Sequence, residues 1–347
     1  MIIKTKELFN TLSLLKSGLG KGEDIEGSNC FVFHNQHIYS YNDRICIISP
    51  FFLSNLHIGV ASDEFYKTLV RITDPETHLI VSKDKTKLTL RAFKDKIKAT
   101  FNTIKIDDLL EEIPVNIGDK NLWYPLPKNF IEAIRLCYPT ASDNATLSDI
   151  CFLEILKDKI TSCDDAQISE YTMDEKIDQP FLLPKESAKE LSFIDNVISY
   201  CIIDSWVCFK TSDDRIFCSR LSYNEYPDYT DYFVFDIVVS FPTPEKLSNA
   251  VEVASTFTLR EQDVDRKIKV TLEDNSIMLE SSNVSGNIIK EFYNKTKVKK
   301  KTSFHINPEF FKRALNESTK VAVGTDRILF SSDSYKLLVG LMQETEL

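Results

Sequence analysis

A chain of 347 residues is longer than one ordinary domain, so two or three domains and a sizeable buried core are expected. Hydrophobic residues make up 43% and charged residues 27%, which is a globular composition. No run reaches the roughly 18 apolar residues of a membrane span, since the longest candidate, Ile45 to Leu53, is broken by Ser49 and Pro50. The formal net charge of -10 argues against a surface that coats nucleic acid all round, yet leaves room for a local basic face.

Met1-Ile2-Ile3 passes directly into Lys4-Thr5-Lys6-Glu7 without a basic leader and an apolar stretch, so a soluble cytoplasmic protein is expected. The first helix signal follows at once, with Leu8, Leu12 and Leu15 on one stripe and Thr11 in the fourth position. Gly18-Leu-Gly-Lys-Gly22 resembles a phosphate loop only superficially. It lacks GxxxxGK[ST] and follows a helix, so it reads as a helix C-terminal turn. Phe31 to Ile38 is strand-like and carries His34 and His37, for which polarity at a loop edge is as good an account as metal ligation. Ile58 to Ser62 is an apolar strand feeding a helix with Glu64 and Lys67, and Lys87 to Phe93 alternates like one arm of a hairpin. The acidic run Asp107 to Glu112 reads as a solvated face.

The same signals then return. Phe130, Ala133, Ile134 and Cys137 form a helical stripe behind Pro127, and Leu247, Ala250, Val251 and Ala254 form another behind Pro244, 117 residues later. The strand-to-helix pattern also recurs, as Phe181 to Pro184 before Glu186 and Lys189, and as Phe304 to Pro308 before Glu309 and Lys312. Hairpin-like segments follow at Trp206 to Lys210 and Arg327 to Phe330, with turns at Ser212-Asp-Asp214 and Ser331-Ser-Asp-Ser334. Each unit therefore reads helix, strands, helix, strands. Three α+β domains are expected, at 1–122, 123–240 and 241–347, with Pro-bearing boundaries at Tyr124 to Pro127 and Phe241 to Pro244.

The eight cysteines include no CxxC, and most sit in apolar strand-like runs, so they read as reduced, small hydrophobes. There is no HExxH and no GxSxG, and we identify no catalytic constellation, metal or cofactor requirement. The cations are more specific. Lys6 and Lys16, Lys67 and Arg71, Lys128 and Arg135, Lys185 and Lys189, Lys246, and Lys312 with Arg313 fall on or beside the polar faces of the six repeated helices. Such placement suits phosphate contact without base reading, although Lys and Arg are also ordinary helix formers. The most basic run, Lys295 to Lys301, reads as a solvated hairpin tip.

Ser219-Arg-Leu-Ser-Tyr-Asn-Glu-Tyr-Pro-Asp-Tyr229 resembles the SRL-x(4)-[FY]-P-[DN]-[YF] segment of the bacterial-type DNA sliding clamp, the β subunit of the replicative polymerase. Leu126 to Ile134, Leu183 to Leu191, Phe304 to Leu315 and Tyr335 to Met342 are similar, in order, to further segments of that family. The resemblance implies a DNA clamp fold with three repeated domains, helices lining a central hole, antiparallel sheets outside, and a ring-shaped homodimer. It also implies a non-catalytic processivity factor that encircles double-stranded DNA, is placed there by a clamp loader, and tethers the replicative DNA polymerase. By position, its partner-peptide pocket would use Leu147, Cys163, Asp165, Ile168, Pro242, Val339 and Met342, and its dimer seam Ile97 and Phe101 against Phe257 and Leu259. Two departures stand out. The family's TDGHRL-like signature reads Cys163-Asp-Asp-Ala-Gln-Ile168, and its Met-Pro pair near the end reads Gly340-Leu341. The rival readings are a metal-dependent nucleic-acid enzyme using Asp107 to Glu112 or Asp164 and Asp165, and a clamp-fold adaptor that does not close on DNA.

Overall fold

Apolar residues at helical spacing become the buried stripes of short helices. Leu8, Leu12 and Leu15 are buried in α1 (Thr5–Leu15), and Phe65 and Leu69 in α2 (Ser62–Val70). The acidic run forms a third, short helix, α3 (Asp107–Glu112), which buries Leu109. Next come α4 (Phe130–Cys137), α5 (Lys185–Leu191), α6 (Leu247–Ala254) and α7 (Pro308–Glu317). Asn307 caps α7 by accepting the Glu309 N–H at 2.9 Å, and Pro308 occupies its first turn. The helices lie where the repeated stripes predict them. The computed structural model describes residues 2–20, 25–51, 56–114, 117, 122–144, 146–259, 266–293, 298 and 301–343.

The chain divides into two compact units, 1–131 with 175–223, and 132–174 with 224–347. The first unit is built on a 12-stranded antiparallel sheet. Its middle strands run in the order His57–Ala61, Cys30–His34, His37–Tyr41, Ile45–Pro50, Ile216–Arg220, Trp206–Thr211 and Val197–Ile203. Strand Ile97–Ile104 meets His57–Ala61 only at its end, through Gly59 opposite Ile104 and Val60 opposite Thr103. Glycine is required at 59, because a Cβ there would lie 2.6 Å from Ile104 Cγ1.

The register of this sheet brings four cysteines into one row. Cys46 lies opposite Cys218, Cys218 opposite Cys208, and Cys208 opposite Cys201. All four are buried, in a core shared with Tyr39, Tyr41, Trp206, Ile106 and Leu109. Burial pushes the Cys218 thiol up to about 11, as expected for thiols packed as small hydrophobes.

In the second unit one sheet runs Phe152–Ile155, Lys159–Cys163, Gln167–Thr172, Tyr335–Gly340, Arg327–Ser331, Lys320–Val323 and Val239–Pro242, antiparallel throughout. A separate 4-stranded sheet runs Gly286–Tyr293, Ser276–Asn283, Ile268–Glu273 and Thr302–Ile306. Helices α6 and α7 pack against each other, and α6 also packs on the smaller sheet. Among the described residues no helix is long and apolar enough to cross a membrane.

Candidate functional site

The turn between strands Lys159–Cys163 and Gln167–Thr172 is where the sequence departs from the clamp signature, and its residues line a cavity of about 430 Å³. Asp164 builds the turn by accepting the backbone N–H groups of Ala166 and Gln167, both at 2.7 Å, and the Gln167 side-chain amide at 2.8 Å. Burial pushes the Asp164 carboxyl up, while those three donors pull it down. Gln167 also receives the Arg313 guanidinium, whose second contact is Thr140 Oγ1 at 3.4 Å.

The other wall comes from the end of the segment that resembles SRL-x(4)-[FY]-P. Pro227, Asp228 and Tyr229 line the cavity, and Tyr229 donates its hydroxyl proton to Glu154 at 3.1 Å. Tyr226 packs edge-on against Tyr229, with centroids 5.8 Å apart, and its hydroxyl accepts the Cys163 N–H at 3.0 Å. Ile150, Ile168 and Leu338 supply an apolar floor, and Tyr232, Asp326 and Arg327 close the rim. A neighbouring cleft, sharing Ile150 and Pro227, is lined by Leu147.

Of the seven residues expected at the partner pocket, Cys163, Asp165 and Ile168 line the cavity and Leu147 lines the adjoining cleft. Val339 is buried in the strand whose neighbours Leu338 and Gly340 face the cavity. Met342 forms a bridge with His305, and Pro242 ends strand Val239–Pro242, so neither lines the cavity. Tyr229, Tyr232 and Arg327 were not singled out in the sequence. The signal available was the aromatic tail of the SRL segment.

The expected DNA-contacting cations differ in their surroundings. Lys6, Lys128, Lys189 and Lys246 are exposed, as are Arg71 and Arg135, while Lys185 is half-buried. Lys16 lies over the Tyr66 ring at 4.6 Å, Lys67 pairs with Asp63, and Lys312 pairs with Glu252 at 3.0 Å. Arg313 alone turns inward to Gln167 and Thr140. Of the basic run at Lys295 to Lys301, residues 295–297 and 299–300 lie outside the described residues, as do Lys21 and Gly22 of the glycine-rich turn.

At the expected seam, Phe101 packs edge-on against Phe65 at 5.2 Å, and Ile97 opens the same strand. Phe257 sits against Gly286, the first residue of strand Gly286–Tyr293, and Leu259 is exposed. Among the described residues Gly286–Tyr293 pairs only with Ser276–Asn283, so its other edge is open. Ile97 to Asn102 likewise pair on one side only.

The acids of the rival enzyme reading have local partners. His57 Nε2 lies 2.9 Å from Asp107 Oδ1, and His57 Nδ1 lies 2.9 Å from His34 Nδ1. Burial, and then the neighbouring His57, lower the His34 pKa. Asp164 holds its turn, and Asp165 is exposed beside it. Among the described residues no group of three or more His, Cys, Asp or Glu is arranged to hold a metal ion.

No family model matches the sequence, and no curated protein sequence matches it. Solved structures do. The DNA polymerase sliding clamp of Bacillus subtilis superposes with a TM-score of 0.84 at 15% identity, covering 99% of this chain and 98% of that one. The DNA polymerase III subunit beta of Borrelia burgdorferi gives 0.85 at 13% identity, covering 99% and 98%. The Helicobacter pylori beta clamp bound to a DNA ligase peptide gives 0.81 at 16% identity, covering 99% and 100%. The fold is therefore that of the DNA sliding clamp from end to end. At these identities the chain shares the architecture of the bacterial beta clamps and little of their sequence.

Proposed function

We propose that the protein is a DNA sliding clamp, a non-catalytic processivity factor that encircles duplex DNA without reading its sequence and tethers the replicative polymerase. The observation that carries this is end-to-end coverage, since both this chain and the clamps it resembles are matched over nearly their full lengths. Three repeated domains, 1–122, 123–240 and 241–347, make up each subunit, and the helix cations other than the inward-turned Arg313 touch phosphates loosely inside the ring. A clamp loader places the ring on DNA in the cytoplasm.

Ring closure follows from the two open strand edges. An unpaired edge is a ready template for another chain, and a heterologous contact that repeats twice closes a dimer. We assign the seam to strand Ile97–Ile104 of one subunit and strand Gly286–Tyr293 of its partner, where Ile289 and Tyr293 are exposed. The groove in the second unit is the partner-peptide site. A DNA ligase peptide bound to the Helicobacter pylori clamp supports peptide docking as a use of this fold.

The test pairs solution mass with retention on nicked circular and linear DNA after loading. A dimer that stays on circles in moderate salt and runs off linear ends is expected, because topological linkage resists salt where electrostatic binding does not. Ile289→Glu should yield monomers that are not retained on circles. Equal loss from circles and linear DNA by the wild-type dimer would sink the proposal.

A further inference from the structure

We propose that the groove of the second unit selects partner segments carrying lysine or arginine beside their apolar anchors, and rejects acidic ones. The inference rests on the groove being the partner-peptide site. Its floor is apolar, from Ile150, Ile168 and Leu338, and would seat one or two large aliphatic or aromatic side chains. Its rim is acidic. Asp164, Asp165, Asp228 and Asp326 line it with one cation, Arg327, which offsets Asp326 and leaves three carboxylates in excess.

That cation is already committed. Arg327 donates from Nε and Nη2 to both carboxylate oxygens of Asp326, at 3.0 and 2.8 Å, and from Nη1 to the Tyr232 carbonyl at 3.1 Å. A closed pair of this kind is close to neutral, so the field at the rim is set by the other carboxylates. Asp165 and Asp228 remain exposed, and Asp228 is held ionised by the Thr230 N–H at 2.9 Å. The adjoining cleft adds Glu225, which is exposed. A low-dielectric cleft lined by one sign of charge focuses its field, so the groove attracts cationic segments and repels anionic ones. The sequence had shown only that Gly, His and Arg of the usual signature are replaced. Of those three replacements only Asp165 is a carboxylate, Ala166 and Gln167 being neutral, and the structure places it with Asp228 beside an apolar floor.

The experiment uses the full-length protein and synthetic six-residue peptides. Every pairing of Leu, Phe, Met and Tyr occupies the two central positions, flanked on both sides by Lys, Ser or Glu. At about 0.05 M salt the Lys-flanked set should bind at least about fivefold tighter than the Ser-flanked set, with the Glu-flanked set weakest. The preference should shrink toward unity near about 0.5 M salt. The double variant Asp165→Asn, Asp228→Asn should lose most of the Lys preference and keep its affinity for Ser-flanked peptides. Tyr232→Ala should weaken all three sets alike, which marks the groove as the place of binding. Equal or tighter binding of Glu-flanked peptides, still sensitive to Tyr232→Ala, overturns the charge selection and leaves the groove reading standing. Failure of every peptide to bind overturns both.

Discussion

Arg220 in the first unit and Arg327 in the second are covered to a similar degree, with side chains 29% and 25% exposed, yet they do different work. Arg220 reaches the Asp43 carbonyl at 3.2 Å, Ser205 Oγ at 2.7 Å and the Glu112 carbonyl at 3.2 Å, and stacks over Trp206 at 4.1 Å. Those partners come from three separate stretches of chain, so one guanidinium ties α3 to two turns of the sheet. It lines a cleft of about 550 Å³ that is framed by its own contacts. Arg327 instead binds its sequence neighbour Asp326 and one carbonyl, and the frame of the second unit's groove is held by another group. There Glu170 accepts from Lys159 and Lys336, both at 3.0 Å, across three adjacent strands. Burial alone does not tell an architectural charge from a surface one. The sequence separation of its partners does.

The largest effect should come from Arg220→Ala, which removes the hydrogen bonds to two carbonyls and to Ser205 together with the stacking on Trp206. We expect about 2–4 kcal/mol of destabilisation in denaturant unfolding followed by intrinsic fluorescence. A change under about 0.5 kcal/mol would erase the distinction between the two arginines. Arg220→Lys should recover only part, about 1 kcal/mol, because an ammonium cannot reach the same acceptors as a planar fork. Arg327→Ala should lie within about 1 kcal/mol of wild type, since its main partner is an exposed neighbouring carboxylate.

The smallest effect concerns acid. Burial pushes Glu170 up, but Lys159 and Lys336 outweigh it and hold the carboxyl below its ordinary range. A depressed carboxyl stabilises the fold above its unfolded pKa of about 4.3, and that contribution disappears as pH falls through the folded value. Glu170→Gln should therefore lower stability at pH 7 by no more than about 1 kcal/mol and flatten the acid limb of a stability profile. An unchanged limb would assign the frame to backbone pairing alone.

The helical stripes at Leu8, Phe130 and Leu247, and the strand-to-helix joins at Ala61, Pro184 and Ile306, were legible because they depend on spacings of a few residues. The SRL segment was legible as a motif, but not as a structural hub, because the partners of Arg220 stand at 41, 43, 112 and 205. Arg313 counted as one more helix cation until the turn at Gln167 came beside it. The groove was half visible. Local signature positions such as Cys163 and Ile168 fell on it, while Tyr232 and Arg327 meet only through the paired strands.

The row Cys46, Cys218, Cys208 and Cys201 gives the protein a built-in reporter of opening. Directly opposed residues have Cα atoms about 4.5–5.5 Å apart, within reach of a disulfide, so the four thiols would cross-link readily if oxidant met them. Their burial and raised pKa keep alkylating agents and peroxide out while the sheet is intact. Labelling at these sulfurs therefore waits for the sheet to open, and its rate in a mild alkylating agent becomes a stopwatch for unfolding of the first unit.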